Sequence, residues 1–176
     1  MALDKLENNK KIGILGGTFD PAHKGHVVIS KIAKKKFKLS KVIWAITKRN
    51  PFKESSSLNL EKRIKFAKKI NLKNKFIEVA FYEKKIKSNK TVDLIKFFKK
   101  KKFEIYFIMG ADNLISFHKW KDSNQILKLC RILVFDRDGY KSKSLKSPTY
   151  TRYNKKNIEF IKFDKVNISS SQLRKI

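Results

Sequence analysis

The chain has 176 residues, which is enough for one domain that buries about 70% of its unfolded surface. Its single cysteine, Cys130, excludes an intrachain disulfide, and no eighteen apolar residues run together, so we expect a cytoplasmic protein without a transmembrane helix or signal peptide. The net charge of +29 comes mainly from 38 dispersed lysines with only six arginines, which is typical of a solvated surface and argues against specific nucleic-acid or membrane binding.

The first predicted elements are a strand, a loop and a helix. Residues 1–10 form a polar tail, and the domain is predicted to span 11–176. The apolar run 11–16 predicts a buried strand, a helical pattern covers about 25–38, and 42–47 predicts a second strand. The loop between the first strand and the helix contains the sequence Gly-Gly-Thr-Phe-Asp-Pro-Ala-His-Lys-Gly-His, residues 16–26.

This loop has the residue types of an anion site. Gly16 and Gly17 lack a Cβ, so we expect a tight turn at which a phosphate approaches the backbone N–H groups. The following helix N-terminus offers unpaired N–H donors, and His23 and His26 have the spacing that places two side chains on one helical face. The alternative is an ordinary tight turn with exposed or packed histidines.

The remaining pattern continues to alternate between helix and strand. It predicts helices over 58–71, 92–101, 113–120 and 124–129, and strands over 76–82, 104–109, 131–135 and 157–163. Residues 138–157 read as a long loop or lid. The alternation predicts a single-domain α/β fold, a Rossmann-like doubly wound parallel sheet that binds its ligand beyond the carboxyl ends of the strands.

The C-terminal segment offers a second candidate phosphate site. Serines begin a predicted helix at 168–174, and Arg174 lies one turn beyond Ser170 on the same face. A phosphate could bridge Ser169, Ser170 and Arg174. The alternative is a serine-capped helix with no ligand.

Four blocks together resemble one enzyme family over nearly the whole chain. These are residues 16–26, the sequence Thr-Val-Asp-Leu at 91–94, Met-Gly-Ala-Asp-Asn at 109–113 with Phe-His-Lys-Trp at 117–120, and 168–174. In that order they resemble the bacterial nicotinate-mononucleotide adenylyltransferases. The resemblance implies a nucleotidyltransferase fold and the reaction of ATP with nicotinate mononucleotide to give deamido-NAD and pyrophosphate, with Mg²⁺ carried by ATP and no dedicated metal site on the protein.

The same resemblance implies a role for individual residues. His23 and His26 would be catalytic. The ATP-binding residues would be Gly16, Gly17, Phe19, Gly110, Asp112, Ser169, Ser170 and Arg174. The mononucleotide would contact Thr91, Trp120, Lys53 and Arg137. Plain core packing is the alternative for Trp120, and an ordinary surface position is the alternative for Lys53 and Arg137.

Two other functions stay open from the sequence. Pantetheine-phosphate adenylyltransferases resemble the chain in Gly-Thr-Phe-Asp-Pro and Ile-Ser-Ser-Ser, but typically carry threonine where this chain has His23. The second alternative is a non-enzymatic, basic nucleic-acid-binding protein that keeps the fold. Its binding would weaken steeply with salt and would not respond to ATP.

Overall fold

The computed structural model describes residues 10–52, 55–136, 140–153 and 155–162. Within these residues, six strands form one sheet in the order β3-β2-β1-β4-β5-β6, and every neighbouring pair is parallel. The strands are β1 (Lys11–Gly17), β2 (Lys41–Ile46), β3 (Ile77–Ala80), β4 (Glu104–Gly110), β5 (Arg131–Phe135) and β6 (Ile158–Ile161). The predicted α/β fold with a doubly wound parallel sheet is therefore confirmed.

Helices connect the strands and cover both faces of the sheet. They are α1 (Lys24–Phe37), α2 (Leu60–Ile70), α3 (Glu83–Ile86), α4 (Thr91–Lys100), α5 (Ala111–Ser116), α6 (Ser123–Leu129), α7 (Tyr140–Leu145) and α8 (Pro148–Arg152). Short 3-10 turns lie at Phe117–Lys119 and Lys155–Asn157. None of the helices in the described ranges is both long enough and apolar enough to cross a membrane.

The core consists of two apolar layers, one on each face of the sheet. Successive strand residues point to opposite faces, so Ile43 packs in the layer beneath α4 and α6, whereas Trp44 packs in the layer beneath α1 and α2. Because both faces are covered, the central strands are continuous apolar runs without polar alternation. This is why short uninterrupted apolar segments predicted the strands correctly.

The strand order reverses beside β1. β1 pairs with β2 on one side and with β4 on the other, and Leu15 is aligned with both Trp44 and Ile108. The carboxyl ends of β1 and β4 consequently lie side by side at the point where parallel sheets of this type bind ligands. The loop that follows Gly17 and the helix that follows Gly110 both start there.

Two details of the predicted elements are wrong. The strand predicted at 76–82 ends at Ala80, because the short helix α3 follows it almost at once. The segment predicted as a long loop at 138–157 contains α7 and α8 in its described part. Ser147 caps α8 by accepting a hydrogen bond from the Tyr150 N–H, Pro148 occupies the first turn, and Thr149 is buried.

Candidate active site

The two adjacent glycines are the last residues of β1, and the predicted tight turn at this position is wrong. Neither glycine has a φ in the left-handed region, and an added Cβ would lie 3.5 Å from the nearest ring atom of Phe107 at Gly16 and of Phe19 at Gly17, an ordinary contact. At Gly13, by contrast, a Cβ would lie 3.0 Å from Leu39. A side chain at 13 would therefore force its neighbours to shift, whereas one at 16 or 17 would not, and Gly16 presents exposed backbone at the carboxyl edge.

Phe19 makes the turn in place of the glycines. Its φ is 49°, a left-handed conformation that is uncommon for a bulky residue and typical of constrained functional loops. The ring is buried, stacks on Trp44 with centroids 4.9 Å apart, and lies 4.8 Å from the ring of His26. The Phe19 side chain thus packs between Trp44 and the ring of His26.

His23 and His26 cap the start of α1, because each imidazole accepts a hydrogen bond from a backbone N–H group at the N-terminus of the helix. His23 Nδ1 accepts a hydrogen bond from the Gly25 N–H at 3.1 Å, and His26 Nδ1 accepts one from the His23 N–H, also at 3.1 Å. This is a capping box built from two imidazoles. Because Nδ1 is the acceptor in both rings, each neutral imidazole carries its proton on Nε2.

The same bonds fix the distance between the two imidazoles. Their ring centroids are 3.9 Å apart. The geometry confirms that the two rings lie together at the helix N-terminus; that both donate to one ligand stays a prediction.

Asp20 and Arg63 organise the surrounding loops, and sequence analysis did not single them out. The Asp20 carboxylate accepts hydrogen bonds from the N–H groups of Ser57 at 2.6 Å and Leu58 at 3.0 Å. Burial lowers the pKa of Arg63 from its ordinary value, while the charges of Asp20 and Glu83 oppose that shift. One signal in the sequence indicated that Arg63 is buried: it lies four residues before Ala67 and therefore on the apolar face of α2.

The predicted residues of β4 and α5 lie at the same edge of the sheet. Gly110 ends β4 and is the cap residue of α5, and Asp112 lies in the first turn of that helix. Thr91 is the first residue of α4, whose N-terminus faces the carboxyl edge because the helix runs antiparallel to the strands. The fold therefore brings these three residues to the edge where β1 ends.

Trp120 follows the 3-10 turn after α5 and is half-buried. Its ring packs edge-on against Phe107, with centroids 6.0 Å apart, and against Phe117 at 5.3 Å. Its indole Nε1 is buried and has no hydrogen-bond partner among the described residues. Trp120 therefore does pack against core side chains, which was the alternative interpretation of this residue. The stacking of its indole on a nicotinate ring stays a prediction.

Five of the predicted site residues lie outside the described residues. They are Lys53, Arg137, Ser169, Ser170 and Arg174. In the part of the chain that the structure describes, no three His, Cys, Asp or Glu side chains come together as a metal-binding group.

The site combines three features that suit a phosphate chain. Exposed backbone ends β1, the N-terminus of α1 carries the positive end of a helix dipole, and two imidazoles cap the first turn of that helix. Donors of this kind stabilise negative charge on phosphate oxygens without forming a covalent bond.

Comparison with known proteins extends these observations. A cytidylyltransferase-like family model matches residues 14–176. A probable nicotinate-nucleotide adenylyltransferase of Pelagibacter ubique (strain HTCC1062) is 66% identical over 98% of this chain and 99% of its own. A probable nicotinate-nucleotide adenylyltransferase of Clostridium novyi (strain NT) is 37% identical over 94% of this chain and 86% of its own.

Solved structures support the same architecture. The nicotinic acid mononucleotide adenylyltransferase of Plasmodium falciparum, complexed with NaAD, superimposes with a TM-score of 0.72 at 21% identity, over 95% of this chain and 83% of that one. The structure of the same protein complexed with APC gives a TM-score of 0.73. At this level of identity, the likeness demonstrates the shared fold.

Proposed function

Because this chain belongs to the nicotinate-nucleotide adenylyltransferase family, we propose that it transfers the adenylyl group of ATP to nicotinate mononucleotide, giving deamido-NAD and pyrophosphate. The chain is thus a nucleotidyltransferase of NAD biosynthesis. Within the structure, the observation that carries the proposal is the pair of imidazoles that cap α1 beside the exposed end of β1.

The reaction is an in-line displacement at the α-phosphorus of ATP. An oxygen of the mononucleotide phosphate forms a bond to that phosphorus, and the bond to the bridging oxygen breaks, so that pyrophosphate leaves with the electron pair. The attacking oxygen is already negative near neutral pH, so no general base is needed. The enzyme's contribution is alignment and the stabilisation of developing charge.

His23 and His26 would provide that stabilisation from Nε2. Their Nδ1 atoms are engaged with the backbone of the first helical turn, which orients the opposite ring edge before ATP arrives. Preorganised donors of this kind act in the transition state more than in the ground state. Mg²⁺ would enter as part of the ATP substrate complex and neutralise phosphate charge there.

The roles proposed for the other site residues follow from the resemblance to the family. Gly16 and Gly17 would admit a phosphate close to the backbone, which explains glycines that packing does not require. Gly110 and Asp112 would lie near the adenosine ribose, and Thr91 and Trp120 would frame the nicotinate ring. Further contacts are proposed for Phe19 with ATP through its backbone, for Ser169, Ser170 and Arg174 with ATP phosphates, and for Lys53 and Arg137 with the mononucleotide.

Two further parts of the proposal concern the whole chain. We take residues 11–176 as one domain preceded by a short tail, because the family model extends from residue 14 to 176. We also propose a cytoplasmic location, since the single cysteine is a buried free thiol.

An acceptor-choice assay tests the function. Pyrophosphate release is measured with ATP and Mg²⁺ and, in turn, with nicotinate mononucleotide, nicotinamide mononucleotide or phosphopantetheine. We expect the highest kcat/KM with nicotinate mononucleotide. A preference for nicotinamide mononucleotide or phosphopantetheine would refute the proposed acceptor, and no release with any of them would refute the activity.

A further inference from the structure

The side chain of Arg63 joins three separate segments at the carboxyl edge of the sheet. It is 2% exposed, and each of its nitrogens donates to a backbone carbonyl. Nε donates to Leu58 at 3.1 Å, Nη1 to Thr18 at 2.6 Å and Thr47 at 2.8 Å, and Nη2 to Lys48 at 2.9 Å. One planar guanidinium thus holds four carbonyls in a fixed arrangement.

Two of these carbonyls flank the candidate phosphate site. Thr18 lies between Gly17 and the left-handed residue Phe19, so its carbonyl sets the direction in which the chain leaves β1. Thr47 follows β2, and its N–H donates to the Gly17 carbonyl at 2.9 Å. Arg63 therefore fixes the end of β1 both directly and through the neighbouring strand.

Two acidic residues complete the arrangement. Asp20 accepts the N–H groups of Ser57 and Leu58, which ties the loop after β1 to the segment before α2. Glu83 accepts hydrogen bonds from the Thr47 hydroxyl and the Lys48 N–H, which ties α3 to the end of β2. Both carboxylates also offset the charge of the buried guanidinium.

We infer that Arg63 is a positioning residue for adenylyl transfer: with Glu83, it holds the end of β1 and the loop to α1 in the arrangement that aligns ATP with the two imidazoles. The inference rests on the proposed function. Lysine cannot replace the arginine, because an ammonium group lacks the planar fork that reaches carbonyls on several sides at once. A displacement of the loop by about 1 Å is enough to lower the rate of an aligned reaction about 100-fold.

The test compares Arg63→Lys with Arg131→Lys, which changes an exposed arginine at the start of β5, at the opposite edge of the sheet. For each protein, Tm, the folded fraction, and kcat and KM for ATP and nicotinate mononucleotide are measured. We expect kcat per folded molecule to fall about 10- to 100-fold in Arg63→Lys and to stay at the wild-type level in Arg131→Lys.

A purely structural role gives a different result. It lowers Tm but leaves kcat per folded molecule unchanged, and that outcome overturns the inference. If Arg63→Lys does not fold, Glu83→Ala is tested instead. It removes the acceptor of the Thr47 and Lys48 hydrogen bonds, while Asp20 and four carbonyls still accompany the Arg63 guanidinium. A folded Glu83→Ala protein with wild-type kcat also overturns the inference, and a lowered kcat at near-normal Tm supports it. Inactive wild-type protein in the same assay refutes the proposed function instead.

Discussion

At the residue scale, the two ring nitrogens of His23 and of His26 have different roles: Nδ1 caps the helix, and Nε2 is the proposed donor to the ligand. Nδ1 of each ring accepts a backbone N–H in the first turn of α1, so the helix start is built from the same side chains that we propose to contact the phosphates. Serine or aspartate would cap the helix equally well. An imidazole caps with Nδ1 and carries a separate donor at Nε2 on the far side of the ring, which the shorter serine and aspartate side chains lack.

This division of tasks gives a prediction for His26. In His26→Asn, the amide oxygen can take over the Nδ1 bond to the His23 N–H, but the Nε2 donor is lost. We expect kcat to fall about 10²- to 10³-fold, as for an oxyanion-hole donor, with Tm close to that of the wild type. His26→Ala should lose a similar factor in kcat and about 1 kcal/mol of stability as well, because the cap is removed.

The measurements are steady-state pyrophosphate release and thermal unfolding of each protein. Lys31→Asn, an exposed substitution on the same helix, is the control and should match the wild type in both. A kcat for His26→Asn that is close to the wild-type value would show that the Nε2 donor of His26 does not stabilise the transition state.

Contacts between residues close together in sequence were predictable, whereas contacts between residues far apart in sequence were not. His23 and His26 are three apart, so helical spacing alone placed them side by side. Arg63 meets Thr18 across 45 residues and Asp20 meets Ser57 across 37, and no local pattern encodes those bonds. The prediction of a tight turn at the glycines was wrong for a related reason: the strand continues through Gly17 because β2 pairs alongside it.

At the element scale, α8 supports the segment that carries Trp120. The buried Thr149 hydroxyl accepts a hydrogen bond from the His118 N–H at 3.0 Å, within the 3-10 turn that precedes Trp120. Tyr153, just after α8, contributes a 2.6 Å hydrogen bond between its hydroxyl and that of Ser123. The segment 138–157, which the sequence suggested as a long loop or lid, thus contains a helix that packs against the turn before Trp120.

Thr149→Val tests this support. Valine keeps the shape of threonine but leaves the His118 N–H without its acceptor, so we expect a loss of about 1–3 kcal/mol in the free energy of unfolding. Because Trp120 lies two residues further on, KM for nicotinate mononucleotide should rise more than KM for ATP.

Chemical denaturation and the two KM values provide the measurement. Thr151→Val is the matched control, since Thr151 is exposed on the same helix and its hydroxyl bonds to carbonyls in its own turn. Equal changes in both KM values, or none, would show that α8 does not position the mononucleotide side of the site.

The strands were easier to predict than the short helices. Each central strand is a short apolar run that is buried on both faces. Such a run can be recognised in the sequence without knowing which strands pair with it. The helices α3, α7 and α8 have only four to six residues each. Such short helices complete too few turns for a periodic pattern, and they are stabilised by caps and tertiary contacts instead.

At the scale of the whole molecule, 44 basic residues face only 15 acidic ones, which leaves a net charge of +29. Across the described ranges there are two ion pairs, Lys36 with Glu159 and Lys41 with Glu78, and the side chains of both pairs are substantially exposed. Exposed pairs contribute little to stability, so repulsion among the lysines opposes the compact state. The same positive field should attract the anionic substrates.

This repulsion predicts that salt stabilises the fold. Between about 0.01 and 0.1 M KCl the Debye length falls from about 30 to about 10 Å. We expect the free energy of unfolding to rise by about 1 kcal/mol, which corresponds to about 2–4 °C in Tm for a chain of this size. Thermal unfolding without nucleotide measures the change.

A charge-reversed variant is the control for the salt effect. Lys65→Glu with Lys69→Glu places two acidic residues at exposed positions of α2 and should reduce the dependence of Tm on salt. A Tm that is insensitive to salt in the wild type, or an equal response in both proteins, would contradict the repulsion argument.

The strand order also determines when the site can first exist during synthesis. β1, β2 and β3 leave the ribosome in sequence and can pair at once, but the other edge of β1 pairs only with β4, which begins at Glu104. Until then the newly made half-sheet carries an open edge at its future centre, the kind of surface that invites pairing with another chain. Completion of β4 therefore closes an aggregation-prone edge and, in the same event, provides the second wall of the nucleotide site.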